Sequence, residues 1–140
     1  MPCVEYTGMT SLIGFIATLI SLSVLDALWI LVIAKGFYAD RMGFLFTKTP
    51  NLVPAAVFYP LYSLGVLFLA VLPAFSAGSW VEAIWRGALL GIAAYGAYDL
   101  SNHATIAKWP LSVTLTDMAW GTVVTALTSV IAYLVLAAIR

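Results

Sequence analysis

The chain has 140 residues, of which 64% are hydrophobic and 9% charged, and its mean hydropathy is +1.06. Soluble domains are about half apolar and a quarter charged, so an ordinary soluble domain is excluded, and so is disorder, which needs low hydrophobicity and high charge. Six Lys and Arg balance six Asp and Glu, which denies the chain the basic field that nucleic-acid binding requires; the bilayer is the solvent that remains.

A membrane-crossing helix needs about 20 apolar residues, and the few charges divide the chain into four such blocks, Thr10 to Ala34, Leu52 to Pro73, Glu82 to about Ala107, and Leu111 to Ile139. The expected fold is all-α: one integral-membrane four-helix bundle spanning 1–140 with short loops. Long continuous apolar runs exclude an outer-membrane barrel, which alternates over about ten residues. Cys3 is the only cysteine and permits no intrachain disulfide. The first block is long and has no basic stretch before it, so it is expected to stay rather than be cleaved.

The first block carries Gly14, Ala17, Thr18 and Ser21 on its early turns, small residues that let a neighbouring helix approach closely in lipid, and is interrupted by Asp26. The loop Lys35 to Asn51 mixes Lys35, Asp40, Arg41 and Lys48 with Phe37, Tyr38, Phe44 and Phe46, a composition suited to the membrane interface. Asn51 is placed to cap the second helix. Pro60 lies inside that helix, where it removes one ladder donor and displaces the Ala56 carbonyl, so a kink or an available carbonyl is expected.

The third block opens on Glu82 and Arg86, an i,i+4 pair in the favourable order. It contains Gly87-xxx-Gly91, a close-contact spacing equally suited to the bundle interior or a dimer contact. It ends anywhere between Leu100 and Lys108, since nothing before Trp109-Pro110 stops it. The fourth block sets Asp117, Gly121, Thr125, Thr128 and Ala132 on one broad face. Trp80, Trp85 and Trp109, near helix ends, read as belt anchors. Lys35, Arg41, Lys48 and Lys108 fall on one side and Arg86 and Arg140 on the other, so the positive-inside rule puts the termini outside.

Three carboxylates carry the chemical information. At 1.5 Å per residue, Asp26 lies about 12 Å from the end of the first helix, Asp117 about 9 Å from the start of the fourth, and Asp99 about 12 Å from the end of a third helix running to Ala107. All three ends are on one side, so three helices place an acid in one layer of one leaflet. An ionisable residue at that depth is costly in lipid and normally faces the bundle interior. The Pro60 break falls at a similar depth, Asn102 shares the face of Asp99, and Trp29, Trp120, Tyr59 and Tyr95 would wall the pocket. Crowded carboxylates in a low dielectric cannot all ionise, so the layer is expected to hold a proton, a cation or a cationic ligand. The bland alternative is that each Asp fixes helix register by accepting from Trp29, Trp120, Asn102 or a Lys. The echo Asp26-Ala27-Leu28-Trp29 against Asp117-Met118-Ala119-Trp120 sets Asp and Trp one turn apart in both outer helices, although these run in opposite directions.

One histidine, His103, without a second His or Cys is a poor metal centre, and no metal and no cofactor are expected. No nucleophile motif, phosphate loop, dinucleotide fingerprint or HExxH occurs.

Asp26-Ala27-Leu28-Trp29, Pro50-Asn51-Leu52, Tyr98-Asp99-Leu100-Ser101-Asn102 and the run from Trp109-Pro110-Leu111 through Thr116-Asp117-Met118-Ala119-Trp120-Gly121 resemble a family of small bacterial predicted membrane proteins, domain of unknown function 2177. The resemblance covers nearly the whole chain. It implies a multi-pass protein of the bacterial inner membrane with four helices, and a pattern that includes Asp26, Asp99, Asn102 and Asp117 but another residue type at His103. It supplies no activity.

The leading functional expectation is binding or transport of a proton, a cation or a small amphipathic or lipid ligand through Asp26, Asp99, Asn102 and Asp117, with Trp29, Trp120, Tyr59 and Tyr95 around them, from the cytoplasmic leaflet. The alternatives are a membrane-embedded enzyme of lipid or isoprenoid modification, with one Asp as general acid and another as base, and a non-catalytic accessory subunit of a membrane complex. The partners these readings call for are the lipid bilayer, a homodimer in the case of transport, and no nucleic acid.

Overall fold

The computed structural model describes residues 8–140; Cys3 and Glu5 lie outside the described residues. Among these, every regular element is helical. The helices are α1 (Gly8–Ile33), the short α2 (Lys35–Met42), α3 (Val53–Ala77), α4 (Trp80–Thr105) and α5 (Leu111–Ala138).

Local chemistry sets the boundaries. The last turn of α1 is widened, with the Ala34 N–H reaching back five residues to the Trp29 carbonyl at 2.7 Å. The N-cap of α3 is Leu52, without a side-chain cap, and not Asn51 as expected; the Asn51 side chain accepts from the Val53 N–H at 3.0 Å just ahead of the helix. Helix α3 continues through Pro60 and, contrary to the expected end at Pro73, runs on to Ala77. A second widened turn at Leu67–Val71 resets the ladder, so Pro73 sits in the first turn of the closing stretch Leu72–Ala77, where a missing N–H costs nothing. Gly78 then ends the helix at φ +63°, the left-handed conformation that glycine adopts without penalty. Ser79 caps α4, accepting from the Glu82 N–H at 3.4 Å. At the far end of α4 the chain turns through Lys108 at φ +64° before Pro110 opens α5.

Three of the four long helices, α1, α3 and α5, are long and apolar enough to cross a membrane. The fourth, α4, has the length but carries Glu82, Arg86, Asp99, Asn102 and His103 among many Gly, Ala and Tyr, which dilutes its apolar character.

Polarity is distributed inside out. Large apolar side chains such as Leu12, Ile16, Ile20, Phe68, Leu89 and Leu134 face outward, while Thr18, Ser63, Asp99, Thr125, Thr128 and Ser129 are buried. In lipid, burying an apolar side chain gains little, and helices associate through close packing and internal polar contacts. Several hydroxyls are satisfied within their own helix: Thr18 donates to Gly14, Ser21 to Ala17 and Ser129 to Thr125, each at 2.7 Å.

The tightest pairing is α4 against α5. A Cβ on Gly87 would come within 2.8 Å of the Thr125 carbonyl oxygen, and one on Gly91 would strike the backbone of Gly121. Gly121 in turn is covered by the Tyr95 ring. The small-residue motif is therefore used inside the bundle. Gly14 of α1 likewise faces Leu67 and Leu136. Apolar residues including Val66, Leu67, Phe75, Ala83 and Leu136 fill one end of the bundle; the three aspartates belong to the other.

Candidate functional site

Asp26, Tyr59, Asp99 and Asp117 each sit six or seven residues from the helix end nearest the α1–α3 loop, a depth of about 10 Å at 1.5 Å per residue. Two acids are joined through a pair of indoles. The Trp29 and Trp120 rings stack with centroids 4.4 Å apart and planes 7° from parallel. Trp120 Nε1 donates to Asp26 Oδ1 at 2.9 Å. Trp29 Nε1 donates to the Tyr38 hydroxyl at 3.0 Å, and that hydroxyl donates to Asp117 Oδ1. The sequence echo thus acquires a geometry: each tryptophan serves the aspartate of the other helix, one directly and one through Tyr38. Asp26 is completed by the Tyr59 hydroxyl, which donates to Oδ2 at 2.6 Å. What α3 delivers to the acids is this phenol.

Asp99 is wholly buried, and neither of its carboxyl oxygens meets an N–H or O–H donor. Its polar neighbour is the Asp117 carboxyl. Among the described residues the ion pair is Arg86 with Glu82 at 2.7 Å, on the α4 surface as expected, so Asp26, Asp99 and Asp117 have no cationic partner. The hydroxyls of Ser63 and Thr128 are also buried without a partner.

A cavity of about 530 Å³ opens beside these groups, lined by Asp26 and Asp117, by Trp29, Trp120 and Tyr95, and by Lys35, with Tyr38, Met42, Phe46 and Pro50 completing the rim. Tyr95 packs edge-on against Tyr62, whose hydroxyl meets Thr125 Oγ1 at 2.9 Å.

Of the eight site residues expected from sequence, Asp26, Trp29, Tyr95, Asp117 and Trp120 line this cavity, while Tyr59 adjoins it through Asp26 and Asp99 through Asp117. Asn102 does not join them: it is half-buried, one turn beyond Asp99 and beside Tyr98. His103 is exposed, and no three His, Cys, Asp or Glu side chains of the described residues gather as a metal site. Trp109, expected at the membrane edge, is instead buried and donates to Thr114 Oγ1 at 3.1 Å.

Tyr38 is the residue that sequence reasoning missed. It read as an interfacial anchor on a mixed loop, yet α2 folds back and turns its hydroxyl inward. Arg41 holds the same helix down, its Nε 3.0 Å from Ser112 Oγ. The clue available in sequence was the loop's aromatic and basic composition; a contact spanning 79 positions leaves no local signal.

Fold, composition and inverted polarity define a helical membrane protein. The chain belongs to the family described as predicted membrane protein, DUF2177, whose model matches residues 11–134. No curated protein and no solved structure matches it.

Proposed function

We propose that the protein is a four-helix inner-membrane binding or transport protein whose buried aspartates take up a proton, a cation or a small amphipathic ligand near the cytoplasmic leaflet, with both termini on the periplasmic side. In this reading α4 crosses the bilayer as a fourth span, its polar residues sheltered against α5. The observation that carries the proposal is the unbalanced charge: Asp99 lies against Asp117 with no donor, and no basic residue among those described pairs with any of the three acids. Two adjoining carboxylates in a low dielectric repel one another, and uncompensated buried charge costs several kcal/mol. A proton or a cation between them removes that cost.

The test is thermal unfolding of the purified chain in mild detergent, as a function of pH and of added monovalent and divalent salts. Wild type should respond to protons or to one of the cations, and Asp99→Asn and Asp117→Asn should lose that response, since an amide donates where a carboxylate only accepts. The same response in wild type and both variants would overturn the proposal.

A further inference from the structure

The cavity beside the aspartates has a lining that discriminates among ligands. Its volume, about 530 Å³, lies in the range of small-molecule sites. Its ionisable acids, Asp26 and Asp117, outnumber its one ammonium, Lys35. Behind Asp117 stands Asp99, wholly buried and without a donor; the two carboxyls repel when both are charged, so a cation in the cavity favours the ionised pair. The remaining surface is aromatic and aliphatic, with the stacked Trp29 and Trp120 rings and Tyr95 prominent. A hard metal ion wants six or more oxygen ligands, and this wall offers two carboxyls and the Tyr38 hydroxyl. Aromatic faces beside a carboxylate are the surroundings in which organic ammonium ions are held, since ring quadrupole and counter-charge act together.

We propose that this cavity binds an organic monocation, an ammonium head on an apolar body, with Asp117 and Asp26 as counter-charges and the Trp29–Trp120 stack and Tyr95 as the apolar wall. The proposal rests on the aspartate-site reading above and names the ligand class of that same site. Lys35, exposed at the rim, opposes the incoming charge and sets a threshold for entry.

Three probes with one apolar body separate charge from hydrophobicity: naphthylethylamine, naphthylethanol and naphthylacetate, titrated calorimetrically at neutral pH into the full chain in mild detergent. The amine should saturate at one per chain and bind at least about tenfold more tightly than the alcohol, a gap in keeping with a desolvated cation over aromatic rings, and the carboxylate should bind most weakly. Asp117→Asn should abolish most of the gap between amine and alcohol. Lys35→Ala, at an exposed position that leaves folding intact, should tighten the amine by about two- to fivefold through loss of one like charge, and it carries the test if Asp117→Asn fails to fold. The proposal is overturned by saturable binding of the alcohol as tight as that of the amine, by amine binding unchanged in both Asp117→Asn and Asp26→Asn, by weaker amine binding in Lys35→Ala, or by the absence of saturable binding of any probe. Equal binding of alcohol and amine with the proton or salt response still lost in Asp99→Asn would reject the cationic ligand alone, whereas loss of both results would reject the aspartate site as well.

Discussion

Tyr38 and Tyr59 reach their aspartates by different routes, and their removal should read out differently. Tyr59 donates to Asp26 from within α3 at 2.6 Å; Tyr59→Phe leaves that carboxyl with Trp120 as its donor. Hydrogen bonds to charged groups contribute about 1.5–3 kcal/mol, so a clear fall in unfolding temperature in detergent is expected, and a variant as stable as wild type would show the bond to be idle. Tyr38 lies outside the long helices. Burial first, and then the hydrogen bond to Asp117, push its phenol well above the ordinary value of 10.0. A group whose ionisation is raised by folding contributes stability that is full below its unfolded value and is lost as pH climbs toward the folded one. Stability should therefore fall above about pH 10, with a smaller fall in Tyr38→Phe, measured by unfolding across an alkaline series. Tyr38→Phe should also speed hydrogen exchange across α2 at neutral pH, since α2 then keeps Arg41 and Ser112 as its polar tie.

At the level of elements, glycine has opposite meanings in α3 and α4. A Cβ at Gly65 meets nothing within 4 Å, so Gly65→Ala should stabilise α3 by about 0.5–1 kcal/mol through reduced backbone freedom in the unfolded chain. A Cβ at Gly91 runs into the backbone of Gly121, which cannot swing aside as a side chain can. Overpacking of this kind costs about 1–3 kcal/mol or more, so Gly91→Ala should lower the unfolding temperature and loosen α4 from α5. Paired measurements of the two variants check both signs at once. The spacing Gly87-xxx-Gly91 was visible in sequence, but its destination was not, because the motif describes one surface and the choice between bundle and dimer belongs to the partner. The widened turns at Trp29–Ile33 and Leu67–Val71 were equally hidden: apolar runs specify that a helix forms, not how its ladder shifts to accommodate Pro73.

For the whole molecule, α4 decides the number of crossings. If α4 spans, the α3–α4 turn at Gly78 and the α4–α5 loop at Ala107 face opposite compartments. Single cysteines at these two positions, in a chain with Cys3 replaced, should then label from opposite sides of sealed vesicles with a membrane-impermeant maleimide. Labelling from one side would leave α4 as a helix that does not cross. Such a helix would have to expose Asp99 and Gly91 to new surroundings, although both are buried against α5 in the bundle.

The sequence by itself determined the solvent, the helical class, the positions of the long helices to within a few residues and the layer in which the acids fall. These rest on local quantities: apolar run length, the rise per residue and the cost of charge in lipid. It also held the cavity's two acids, both of its tryptophans and Tyr95, because depth along four helices is nearly a one-dimensional problem. Only the tertiary structure decided how they connect. That Trp120 serves Asp26, that Trp29 reaches Asp117 through Tyr38, that Asn102 stands aside and Trp109 turns inward all depend on the rotation of each helix about its axis and on the return of α2 across the bundle. Those are set by close packing between segments far apart in the chain, at Gly91 against Gly121 and Gly121 against Tyr95, where a single Cβ would choose a different arrangement.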